Sequence, residues 1–176
     1  MAGIPFSGPD EAPRVLLELD GNCGPMSVWL LLRYFRKRTS AERIIRLCRY
    51  TKRHGTFTIA LALALKEQGL RVWFHTEEDP APMRIERILS RMAERAGVGM
   101  GGPLQVDDLI HCVRGGAVGI VSFDTDEGTG HFSPIIGVRK RRLILPYTEQ
   151  GSMDADEFEK KWAAPGICKQ CLFAAR

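Results

Sequence analysis

Apolar residues recur at helical spacing from Gly24 or Pro25 to about Arg38. Proline suits the first turn, where a missing N–H leaves no bond unmade. TSAERIIRLCRYT opens with Thr39 and Glu42 in capping-box spacing and predicts a second helix. Thr56 is placed to cap FTIALALALKEQ, which stops at Gly69. LRVWFHT alternates as a strand, while MRIERILSRMAERAG and the shorter VDDLIHCVRGG return to helical period. Beyond them the period changes to two: AVGIVSFD, HFSPIIGV and RLILPY read as strands. DADEFEKKW predicts a last helix, and GICKQCLF a closing strand. Helices come first and strands later, so the expected class is α+β.

The 176 residues suffice for one core, and residues 1–176 are expected to form a single domain, with the Pro-rich residues 1–13 as a loose segment. Arg33 interrupts the longest apolar run, so no membrane span is expected. The N-terminus shows neither a basic start nor an apolar segment, so no secretory signal is visible and a cytoplasmic location is expected, with signal-independent export left open. Five cysteines are an odd, modest number and predict reduced thiols. The net charge of +4 concentrates in residues 33 to 54 and in RKRR at 139 to 142. Without an accompanying aromatic or glycine pattern, this reads as solvated helix faces and a charged turn, and no specific nucleic-acid partner is expected.

The chemistry concentrates at DGNCGPMS, residues 20 to 27. A thiol at a helix start lies among unpaired amides at the positive end of the macrodipole, which lowers its pKa from about 8.5 and makes Cys23 a nucleophile candidate. Gly24 would let a substrate approach the backbone, and the amides of the helix start could hold an oxyanion. A base must come from another element. Of the four histidines, His131, at a strand start after DEGTG, is best placed.

Other residues carry weaker signals. Cys168 and Cys171 have the spacing of half a zinc site, but nothing completes it, and they read as opposite-parity positions of a late strand. Cys48 and Cys112 read as core residues, and His75 and His111 as ordinary side chains. Asp124, Asp126 and Glu127 lack the DxDxDG order of a calcium loop and read as solvated acids. No metal or other cofactor is expected.

NCGPMSVWLLL, HGTFTIALALALKEQGLRVWFHTEED, VDDLIHCVRGGAVGIVSFD, GHFSPIIGV and DADEFEKKW, in this order, resemble the papain-like peptidases that process double-glycine leaders of bacteriocins, together with their stand-alone relatives. The resemblance implies a bacterial origin, a papain-like fold with a helical half packed on an antiparallel sheet, Cys23 as nucleophile and His131 as general base. Two family positions differ. Where the family carries a glutamine before its cysteine, this chain has Glu18 and Leu17. Where the family carries an orienting Asp or Asn, it has Leu145 and Pro146, and Asn22, Thr148, Glu149 and Gln150 are the candidate surrogates. The expected activity is that of a cysteine hydrolase or acyl transferase on a peptide or amide bond. The alternatives are a catalytically impaired module that binds a peptide or protein, and an effector amidase or deamidase. Glu18 is expected near the cleft, where its carboxylate would oppose a developing oxyanion.

Overall fold

The computed structural model describes residues 8–125 and 128–176. Asp126 and Glu127 of the acidic loop, and residues 1–7 of the N-terminal segment, lie outside the described residues. Pro9–Glu11 forms one 3-10 turn, and Ala12 is buried in the core. The helices are α1 (Arg14–Leu17), α2 (Cys23–Tyr34), α3 (Ala41–Leu47), α4 (Thr58–Glu67), α5 (Arg84–Arg95), α6 (Val106–Arg114) and α7 (Ala155–Trp162). The strands are β1 (Arg71–His75), β2 (Gly99–Gly101), β3 (Val118–Asp124), β4 (Gly130–Ile135), β5 (Gly137–Arg139), β6 (Arg142–Ile144), β7 (Ser152–Asp154) and β8 (Cys171–Ala175).

The expected α+β order holds. Helices α2 and α4 are buried along nearly their whole length, because Met26, Val28 and Leu30–Leu32 on one and Ile59–Leu65 on the other leave no polar face. They form the centre of one core cluster with the inner side chains of β1, β3 and β8. A second cluster joins α6 and α7 to the other face, through Leu109, Val121, Phe123, Phe158 and Trp162. The main sheet runs β2-β1-β8-β3-β4, antiparallel except for β1 beside β2, and a three-stranded sheet β5-β6-β7 flanks it.

Some local expectations are corrected. Ser40, not Thr39, caps α3: its hydroxyl accepts from Arg43 N at 3.3 Å, while Thr39 Oγ1 donates to Gln68 Oε1. Thr56 does not cap α4, whose N-cap is Phe57 without a side-chain bond. The Gly-rich stretch read as a loop contains β2, and HFSPIIGV divides into β4 and β5. The late cysteines do not share a strand: Cys168 sits in a left-handed turn with Lys169, and only Cys171 enters β8. The basic knot is a hairpin turn as expected, and Arg141 bridges it to Asp107 at 3.0 Å and Asp156 at 3.1 Å. Among the described residues no helix is long and apolar enough to cross a membrane.

Gly119 lets β3 and β8 approach, since a Cβ there would run into the Leu172 carbonyl oxygen. Both are backbone positions in a central strand pair, with little room to give. Gly119→Ala is therefore expected to destabilise the chain by about 1–3 kcal/mol, read as a lower midpoint in urea denaturation.

Candidate active site

A turn closed by Gly21 at φ +60 delivers the chain into α2. Asn22 precedes the helix, its carbonyl accepts from Met26 N at 2.9 Å, and Cys23 is the first helical residue. Pro25 follows within the first turn, where its lack of an N–H costs nothing. Gly24 is buried, and a Cβ there would meet Thr56 at 2.9 Å. The space that Gly24 leaves is thus filled by the segment entering α4 rather than by an approaching substrate.

The Cys23 sulfur receives main-chain N–H groups from Cys23 itself, Gly24 and Phe132. Phe132 belongs to β4 and directly follows His131, so the helix start and the histidine strand adjoin at the sulfur. Burial nonetheless dominates. Desolvation of the charged form pushes the Cys23 thiol up from its ordinary value, and the three amides only oppose it. The lowered pKa expected from the helix start is corrected: the neighbouring amides favour the charged form, but burial outweighs them.

His131 is half-buried, and its Nε2 lies 2.7 Å from the carbonyl oxygen of Tyr147. A carbonyl can only accept, so Nε2 carries the proton and Nδ1 holds the lone pair. Burial pushes the imidazole pKa below its ordinary value, while the Tyr147 carbonyl pulls it back up. At neutral pH the ring is therefore an uncharged base with a defined tautomer. It is packed by Tyr147, stacked at 5.6 Å between centroids, and by Phe123 edge-on at 5.4 Å.

Tyr147 is the residue that sequence reasoning missed. Its N–H donates to the fully buried Ser133 Oγ at 3.1 Å, and its hydroxyl donates to Asn22 Oδ1 at 2.7 Å. Asn22 in turn donates from Nδ2 to the carbonyls of Leu16 and Leu17, each at 3.2 Å. The carboxamide is thus held within α1 and the Tyr147 hydroxyl. Burial raises the Tyr147 hydroxyl pKa above its ordinary value, a charge on Cys23 raises it further, and the bond to Asn22 opposes both. The only hint in the sequence was an aromatic residue after Pro146, and a main-chain acceptor leaves no mark in residue identity.

The other candidate positions are more peripheral. Glu18 ends α1 in solvent, its carboxylate 2.6 Å from Arg14 Nε. Thr148 Oγ1 donates to the Leu145 carbonyl at 2.8 Å, closing the turn that presents Tyr147. Thr148, Glu149 and Gln150 line a cavity of about 440 Å³ that opens beside His131. Its remaining walls are Phe123, Asp124, Thr125, Ser152, Met153, Glu157 and Lys161, and Cys23 does not line it. Cys48 and Cys171 are buried, the latter with its thiol pushed up to about 12. Among the described residues no group of three or more His, Cys, Asp or Glu side chains could hold a metal ion.

Comparison with solved structures gives the fold its class. The peptidase domain of Streptococcus ComA, a bifunctional ABC transporter involved in quorum sensing, superposes with a TM-score of 0.58, over 90% of this chain and 94% of that one, at 14% identity. A double-glycine motif protease from an AMS/PCAT transporter, solved in complex with its leader peptide, superposes with a TM-score of 0.55, over 96% and 95%, at 16% identity. No protein-family model matches the chain, and no curated protein matches it. The chain has the papain-like fold of double-glycine leader peptidase domains.

A thiol whose pKa is raised by burial has a testable signature. Iodoacetamide labelling with mass mapping is expected to give Cys23 an apparent pKa above the free-thiol value of about 8.5. A midpoint below about 7 would instead reveal a thiolate–imidazolium ion pair.

Proposed function

We propose that the protein is a cysteine hydrolase that cleaves a peptide bond, with Cys23 as nucleophile and His131 as general base. The observation that carries this reading is the bond from His131 Nε2 to the Tyr147 carbonyl, which leaves Nδ1 as the basic nitrogen on a strand whose next amide meets the Cys23 sulfur. In the reaction, Nδ1 takes the thiol proton as the sulfur bonds to the acyl carbon. The carbonyl electron pair moves to oxygen. Collapse of the adduct breaks the C–N bond, and the same proton passes from Nδ1 to the leaving amine. Water then attacks the thioester, giving its proton through His131 while the thiol is regenerated.

The oxyanion falls to the main-chain N–H groups of Cys23 and Gly24, which face the sulfur at rest and have no partner within the helix, since Pro25 carries no N–H and Met26 donates to Asn22. The Asn22 side-chain amide already serves the carbonyls of Leu16 and Leu17, which argues for a positioning role through Tyr147 instead. Glu18, held by Arg14 in solvent, has no electrostatic reason to suppress this chemistry. An uncharged thiol at rest is a weaker nucleophile than thiolate, and this favours a slow or specialised peptidase. It is also the observation that sustains the second reading, a module that binds a peptide without cutting it.

Peptides with a Gly-Gly segment followed by several residues, monitored by mass spectrometry, separate the two. Cleavage that is lost in Cys23→Ala and in His131→Ala supports the hydrolase, and retention without cleavage supports the binding module. The rate is expected to rise with pH along an acid limb lying below about 6.5, because the His131 pKa is depressed and the ring must be uncharged to act. Tyr147→Phe removes the bond to Asn22 and is expected to lower kcat by about 3- to 10-fold, the weight of one hydrogen bond. Glu18→Gln is expected to change the rate by less than about twofold, since the exposed ion pair with Arg14 contributes little.

A further inference from the structure

The cavity beside His131 is larger than proton transfer requires, and its position relative to the reacting atoms says which part of a substrate would occupy it. The imidazole that takes the thiol proton must hand it to the departing nitrogen, so the leaving chain lies against the ring. A cavity walled by His131 and not by Cys23 therefore faces the leaving side of the cleaved bond. Its composition is uneven. Phe123 and Met153 supply apolar wall, while among the described residues Asp124, Glu149 and Glu157 set three carboxylates against the single ammonium of Lys161. The balance, three minus one, leaves two negative charges in excess at an opening of half-buried and exposed residues.

We infer that this cavity receives a lysine or arginine side chain from the first residues after the cleaved bond. The inference rests on the peptidase reading. The match is chemical: such side chains carry an apolar stem that packs on Phe123 and Met153 and a cationic head that stays at the wet, carboxylate-bearing rim. The three carboxylates come from separate parts of the chain: Asp124 from the end of β3, Glu149 from the turn after Tyr147 and Glu157 from the first turn of α7. The preference is thus a property of the assembled cavity rather than of one helix face. An acidic leaving residue would meet like charge there and be disfavoured.

The test has two arms. In the first, the whole chain is given peptides with the same Gly-Gly acyl side, followed by Lys, Arg, Ala or Glu, and kcat/KM is compared at low and high salt. Lys and Arg peptides are expected to exceed the Glu peptide by about tenfold or more at low salt, with the ratio shrinking as salt screens the rim. Glu149→Lys and Glu157→Lys are expected to narrow that ratio by about two- to fivefold each, as exposed charges do. In the second arm, binding of the same peptides to Cys23→Ala is measured directly, without turnover. Turnover with no dependence on the charge of the leaving residue overturns the inference and spares the peptidase reading. Charge-dependent binding to Cys23→Ala that the two reversals weaken, with no cleavage by the native chain, supports the cavity as a site for cationic side chains and removes the peptidase reading. Neither turnover nor charge-dependent binding overturns both.

Discussion

One hydrogen bond, from His131 Nε2 to the carbonyl oxygen of Tyr147, organises the site. It places the proton on Nε2 and the lone pair on Nδ1, and does so with a group that cannot itself titrate. A main-chain carbonyl is useful only if the chain bearing it is immobile, and Tyr147 is fixed three ways. Its N–H is held by buried Ser133, its ring stacks on His131, and its hydroxyl is held by Asn22. Because Asn22 also ties down the carbonyls of Leu16 and Leu17, hydrogen bonds join the helix start, the turn after β6 and strand β4. In the proposed site, the geometry that a side-chain carboxylate supplies in an ordinary triad is distributed over a tyrosine, a serine and an asparagine.

That substitution has an electrostatic consequence. A carboxylate stabilises imidazolium by its charge, whereas a carbonyl offers only a dipole. Burial lowers the His131 pKa and raises that of Cys23, so the two shifts act together against a charge-separated resting pair. In the proposed reaction the thiol is protonated at rest, and the nucleophile forms only as the base removes its proton. Three amides around the sulfur, from Phe132, Gly24 and Cys23, soften the penalty for a charge on it.

Much of the scaffold was legible because it rests on periodicity. The buried helices α2 and α4, the alternating β1 and the strands β3, β4, β6 and β8 announce themselves by spacing. The short strands β2 and β7 did not, since three residues carry no pattern and their pairing is a tertiary matter. Caps were misread where two hydroxyl residues adjoin, as at Thr39 and Ser40, or where tertiary packing takes the cap position, as at Phe57. At the site, Cys23 and His131 could be singled out because their chemistry resides in the side chain. The acceptor on His131 could not, since every residue has a carbonyl and only the folded path selects that of Tyr147. Glu18 was expected near the cleft from the family's glutamine position, whereas its carboxylate is exposed and paired with Arg14, an environment that position alone does not reveal.

The most direct measurement is the protonation state of the His131 ring, read by nitrogen NMR on protein labelled with 15N-histidine and assigned by comparison with His131→Gln. The account predicts one neutral tautomer near pH 7, with the proton on Nε2 and Nδ1 bare, persisting when Cys23 is replaced by Ala. A ring protonated on both nitrogens at that pH, or a proton on Nδ1 alone, would contradict it, because the Tyr147 carbonyl would then not be the group that sets the base.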